Sequence, residues 1–159
     1  MSIYMQYPNT TGSVTATNFK NWIHISDIFH GVNRGIMPTE AGRGNDRDRG
    51  TSHFHHVEIT KPIDQSSAKI YQDCVTGKAV PQVKLSVVKT DSDLSAYLEY
   101  TLHNVYVSSV TKHIKGETPY EVINFSFSKI EERYTPHDAT NKAQSPINVG
   151  YNTETAEVM

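Results

Sequence analysis

The sequence predicts a mainly β fold, a β-barrel of two packed antiparallel sheets with one lateral α-helix and an extended loop after the second strand. Three observations carry this. Strand-like runs recur near residues 3–7, 21–29, 54–60, 83–89, 97–111, 122–134 and 147–151. Turn formers separate them, among them Pro8-Asn9, Lys115-Gly116 and Thr135-Pro136. Only one segment, about residues 66–76, has helical spacing. Many short strands and a single helix read as a barrel or sandwich.

The elements around the helix are the most legible. Val57 and Ile59 alternate with Glu58 and Thr60 as in a half-buried strand, and Pro62, lacking an N–H for the ladder, ends it. Asp64 or Ser66 is placed to cap the helix. Ile70, Tyr71, Cys74 and Val75 form one apolar stripe, predicted to pack on the barrel. Gly77 suits the left-handed closing position, with Lys78 beside the negative helix end. Val83, Leu85 and Val87 resume the alternation.

Later strands place apolar residues on both faces. Ile123, Phe125 and Phe127 share one parity, whereas Ile130 and Tyr134 have the other, so the chain must bulge or bury both sides. Val105-Tyr106-Val107 and Val87-Val88 pose the same problem. An isolated small barrel keeps its outside polar, so these residues point towards self-association. The loop of about residues 33–52, with glycines at 35, 42, 44 and 50, cannot build core.

A chain of 159 residues is predicted to form one domain over residues 1–159, burying ~70% of its unfolded surface. The net charge of −2 supplies no field for phosphate, which argues against a nucleic-acid partner. No long apolar run exists for membrane insertion, and the N-terminus lacks the pattern of a signal peptide. A lone cysteine, Cys74, excludes an internal disulfide and fits folding in a reducing cytoplasm.

Thr60-Lys61, Ile63-Asp64, Ser67, Cys74, Gly77-Lys78, Pro81 and the strand from Val83 to Lys89 resemble the hemolysin-coregulated protein (Hcp) family of type VI secretion systems. So do Trp22-Ile23-His24-Ile25 with Gly31-Val32, the run from Tyr97 to Val110, Phe125 to Ile130 with Tyr134-Thr135-Pro136, and Gly150-Tyr151-Asn152. Ala68 departs from a proline frequent in that family, and the 33–52 loop matches no family pattern. The resemblance implies a tube subunit: hexameric rings stacked into a hollow tube inside a contractile sheath, expelled with a spike protein and carrying effector proteins. It implies no cofactor, and a protein that is cytoplasmic before firing and secreted or delivered to a target cell afterwards. It further implies that Arg43, Arg47 and Arg49 in the extended loop serve ring stacking. A tail-tube protein of a contractile phage-like particle shares this logic, and a small metal-binding β-barrel is the remaining alternative.

The candidates for chemistry are weak. His53 and His55 share a strand face while His56 and Glu58 share the other, so no third metal ligand converges. Ser66-x-x-Lys69 has the nucleophile spacing of penicillin-binding enzymes, but Ser92-Asp93-Leu94 and Lys89-Thr90-Asp91 miss the accompanying motifs, and the serines read as a cap. Glu131 and Glu132 are strand neighbours on opposite faces and cannot flank one bond. Cys74 reads as a small buried hydrophobe and Trp22 as an anchor. No catalytic or metal residue is predicted, and the protein is read as no enzyme.

Overall fold

In a computed structural model the described residues are 1–37, 41–42, 50–91 and 94–159. The strands are β1 (Ser2–Gln6), β2 (Ile23–Ile25), β3 (Asp27–Phe29), β4 (Val32–Arg34), β5 (Ser52–Phe54), β6 (Val57–Pro62), β7 (Val80–Val88), β8 (Ala96–His113), β9 (Tyr120–Ser126), β10 (Lys129–Tyr134), β11 (Ile147–Asn152) and β12 (Glu157–Val158). The helix, α1, is Ser67–Thr76.

One sheet runs β12-β11-β10-β8-β7-β1-β2, and the facing one runs β3-β6-β9-β8, all antiparallel. Strand β8 belongs to both: its first half pairs with β7 and β10, its second half with β9. Asn104 takes the left-handed conformation (φ 50°) in mid-strand, and there the buried phase changes from Leu102 to Val105 and Val107. Across the sandwich, the chain passes from β2 to β3 through Ser26, whose N–H donates to the Thr60 carbonyl at 2.8 Å. The chain alone makes that corner, with no ladder zipping it, so the barrel is open rather than a closed cylinder.

The parity conflict near Phe127 has the same origin. β9 ends at Ser126 in one sheet and β10 begins at Lys129 in the other, so Phe125 and Ile130 both enter the core. A residue left out of register opposite Val87 and Val88 lets both of those valines be buried. The chain itself thus buries Val87, Val88, Phe125 and Ile130, whereas Tyr106 and Tyr134 stay exposed, 46% and 45%. Nor is the extended loop wholly loop: β4 and β5 pair as a ribbon, Val32 with Phe54 and Arg34 with Ser52. A Cβ on Gly50 would meet the Gly35 carbonyl oxygen at 2.2 Å, so the two backbones touch beyond the ribbon.

The core is Met5, Ile23, Ile25, Val57, Ile59, Ile70, Val83, Leu85, Leu102, Val105, Ile123 and Phe125, with neighbours of similar burial. The helix stripe requires a correction. Ile70 is fully buried and Cys74 packs half-buried against the core, but Tyr71 and Val75 face solvent. The inward face is instead Ser67, Ile70 and Asp73, because polar partners wait beneath the helix.

Candidate functional site: a buried lysine network and an exposed helix face

Alternation places Lys61 in phase with the buried Val57 and Ile59, and Glu121 in phase with the buried Ile123 and Phe125. The two are direct cross-strand partners on β6 and β9, and neither exposes any surface. The Lys61 ammonium donates to Glu121 Oε1 at 2.6 Å, the Pro62 carbonyl at 2.9 Å, Asp64 Oδ1 at 3.0 Å and Ser67 Oγ at 3.1 Å. Ser67 donates in turn to Glu121 Oε1 at 2.7 Å and accepts the Asp64 N–H at 3.0 Å. Glu121 Oε2 is buried without a partner. Desolvating two charges is offset only by such close pairing and hydrogen bonding.

The string Thr60-Lys61-x-Ile63-Asp64-x-x-Ser67 thus has a physical meaning: it clamps the helix start onto β6 and β9. Ser66, at the cap position, makes no side-chain capping bond; its hydroxyl and N–H both donate to Asp64 Oδ1. A second anchor lies further along the helix. Tyr7 donates to Asp73 Oδ2 at 2.6 Å, and Lys69 reaches Asp73 Oδ1 at 3.0 Å. Burial, then the hydrogen bond and charge of Asp73, push the Tyr7 phenol well above its ordinary range. Gly77 closes the helix in the left-handed conformation (φ 66°).

This network does not make a nucleophile. The Lys61 ammonium donates to Glu121, Asp64 and the Pro62 carbonyl as well as to Ser67, and the Ser67 hydroxyl proton goes to Glu121, so lysine and serine are held as members of a structural clamp. Ser66 and Lys69 address different carboxylates, Asp64 and Asp73. Glu131 binds His103 at 2.8 Å on one sheet face, while Glu132 bonds the Tyr100 phenol on the other. Burial first, then Glu132, pushes Tyr100 up to about 12.

His53 lies exposed in β5, and His55 and His56 are also exposed, with His56 Nδ1 at 3.0 Å from Ser108 Oγ. Among the described residues no three His, Cys, Asp or Glu side chains cluster to hold a metal. His30 packs edge-on to Tyr100 and Phe127, its Nδ1 buried and unbonded, and burial lowers its pKa. Trp22 sets its ring edge-on to Phe19 at 5.1 Å. The stacking candidates Arg43, Arg47 and Arg49 lie outside the described residues. No described helix is long and apolar enough to cross a membrane.

Outward, α1 presents Tyr71 (50% exposed) and Val75 (70%), one turn apart, with Lys112 Nζ at 4.9 Å over the Tyr71 ring. The buried charges hold α1 on the strands, and Tyr71 and Val75 form a small apolar patch on its outer side. The sequence profile of the family described as type VI secretion system effector, Hcp, matches residues 4–134, and the chain belongs to this family of structural secretion-system proteins. Protein hcp1 of Pseudomonas aeruginosa is 32% identical over 100 residues, 60% of this chain and 62% of that protein, so the match spans less than two thirds of that relative. A solved structure of a type six secretion system protein superposes with a TM-score of 0.91 at 23% identity over 99% of both chains. Hcp1 from Salmonella typhimurium gives 0.80 at 20% identity, covering 99% of this chain and 98% of that one.

Proposed function

We propose that this chain is the tube subunit of a type VI secretion system, forming hexameric rings that stack into a hollow tube. The tube is expelled with a spike protein from a contractile sheath, carries effector proteins, and leaves the cytoplasm on firing. The observation that carries the reading is the family match over residues 4–134. The outward apolar surface of α1 supports it, because a ring needs two different patches that meet head-to-tail. Native mass spectrometry tests it: the expected species has six times the 17.9 kDa of one chain. A monomer at micromolar concentration overturns the ring. Stacking is assigned to Arg43, Arg47 and Arg49, whose triple replacement by Ser is expected to leave single rings but abolish tubes and secretion. Secretion at the normal level would return these arginines to ordinary surface.

A further inference from the structure

The larger sheet overhangs the smaller one, and its core-side face continues past the point where the other described strands cover it. Three cross-strand rows show this. Val83, Leu102 and Ile130 are buried, but their row ends at Tyr151, half-buried, and Val158, 75% exposed. Leu85 is buried, Tyr100 and Glu132 half-buried, and Val149 is 54% exposed. Val87 is buried, Leu98 half-buried, Tyr134 45% and Ile147 63% exposed. Glu132 apart, the side chains along these rows stay apolar while their exposure rises. Part of the start of this wing is shielded by the ribbon, where Phe54 stacks on Tyr151 at 4.8 Å. The remainder, along β10 and β11, is about two strands or ~10 Å wide.

One helix with its side chains is ~10–12 Å across, which matches that width. The only helix among the described residues is α1, and its outward face carries two exposed apolar side chains one turn apart, Tyr71 and Val75. Its charges are also complementary. Lys112 lies over Tyr71 and Lys78 follows the helix cap, while the wing carries Glu132 on the same face as Val149. Within one molecule α1 is clamped over β6, β9 and the second half of β8 by Lys61, Ser67 and Glu121, so it cannot also cover β10 and β11.

We infer that the β10–β11 wing is the seat for α1 of a second copy, with Tyr71 and Val75 packing on Tyr134, Ile147 and Val149. Two different patches meet, so the contact is head-to-tail and repeats from subunit to subunit. The inference rests on the ring proposed above and names its interface.

Two experiments decide it. Val75→Asp and Val149→Asp alter exposed residues, so each is expected to leave a folded chain with the wild-type circular dichroism spectrum but to reduce the ring to monomers in native mass spectrometry. In a Cys74→Ser background, Val75→Cys and Val149→Cys proteins, mixed and treated with a short bis-maleimide, are expected to give a heterodimer, and neither alone a homodimer. Intact rings from both aspartate variants would overturn the interface while leaving the ring standing. Homodimers from a single cysteine variant would replace it with a face-to-face contact. A monomeric wild type would remove both the interface and the ring.

Discussion

The clearest test of the energetic argument is to remove Lys61. Lys61→Met keeps the side-chain length and deletes the charge, which strands a fully buried carboxylate on Glu121. Glu121 Oε1 keeps only the Ser67 hydroxyl, and Oε2 already has no partner. Breaking a buried pair from one side in this way costs ~3–5 kcal/mol. Glu121→Leu leaves the opposite remnant, an ammonium that still holds Asp64, Ser67 and the Pro62 carbonyl, so its cost is nearer ~1–3 kcal/mol. With both replaced, no buried charge is stranded between β6 and β9, and the double variant is expected to lose less than Lys61→Met alone. Urea unfolding at fixed protein concentration measures all three, since assembly otherwise shifts apparent stability. A double-mutant cycle with coupling below ~0.5 kcal/mol would refute the reasoning. So would a Glu121→Leu variant less stable than Lys61→Met.

Three further outcomes are expected. Ile70→Ala should cost ~2–5 kcal/mol, whereas Val75→Ala should change the unfolding free energy of the monomeric chain by less than ~0.5 kcal/mol; equal losses in urea would restore the original stripe. Gly12→Ala should lower the melting temperature sharply, because its Cβ would lie 2.1 Å from the Trp22 carbonyl oxygen, while Gly150→Ala, whose Cβ would meet the flexible end of Met159 at 2.7 Å and Glu131 Cγ and the Ile130 carbonyl oxygen at 3.3 Å, should lower it less by calorimetry. His30 has its pKa lowered by burial, so the folded state resists the proton that the unfolded state takes up below its ordinary pKa of ~6.5; stability should fall with acidification from there, and His30→Phe should flatten that part of the melting curve against pH.

The alternation of Val57 to Thr60 and of Val83 to Val87 located two core strands directly, and Gly77 marked the helix end. What the pattern could not give was the partner of each buried charge. Lys61 and Glu121 both stand in the apolar phase of their strands, and that anomaly was a readable signal for a buried pair 60 positions apart. The helix lies where its spacing predicts, but its inward face differs: ranking by hydrophobicity alone turns Tyr71 and Val75 inward, whereas Ser67 and Asp73 hold that face through Glu121 and Tyr7. Phe125 and Ile130 have opposed parities, but parity alone does not distinguish a bulge from a chain changing sheets. The β4–β5 ribbon was also illegible, because three-residue strands beside glycines carry too little periodicity to separate from a loop.

Strand β8 has a mechanical consequence. Eighteen residues at ~3.4 Å each make a fibre of up to ~60 Å common to both sheets. Tension along it is taken up as shear across ladders to three neighbours at once, instead of unzipping one bond after another. The two sheets cannot slide past each other without rupturing their shared member. A force applied to one sheet is therefore transmitted to the other through continuous covalent backbone, the rigidity that the tube subunit proposed above would need.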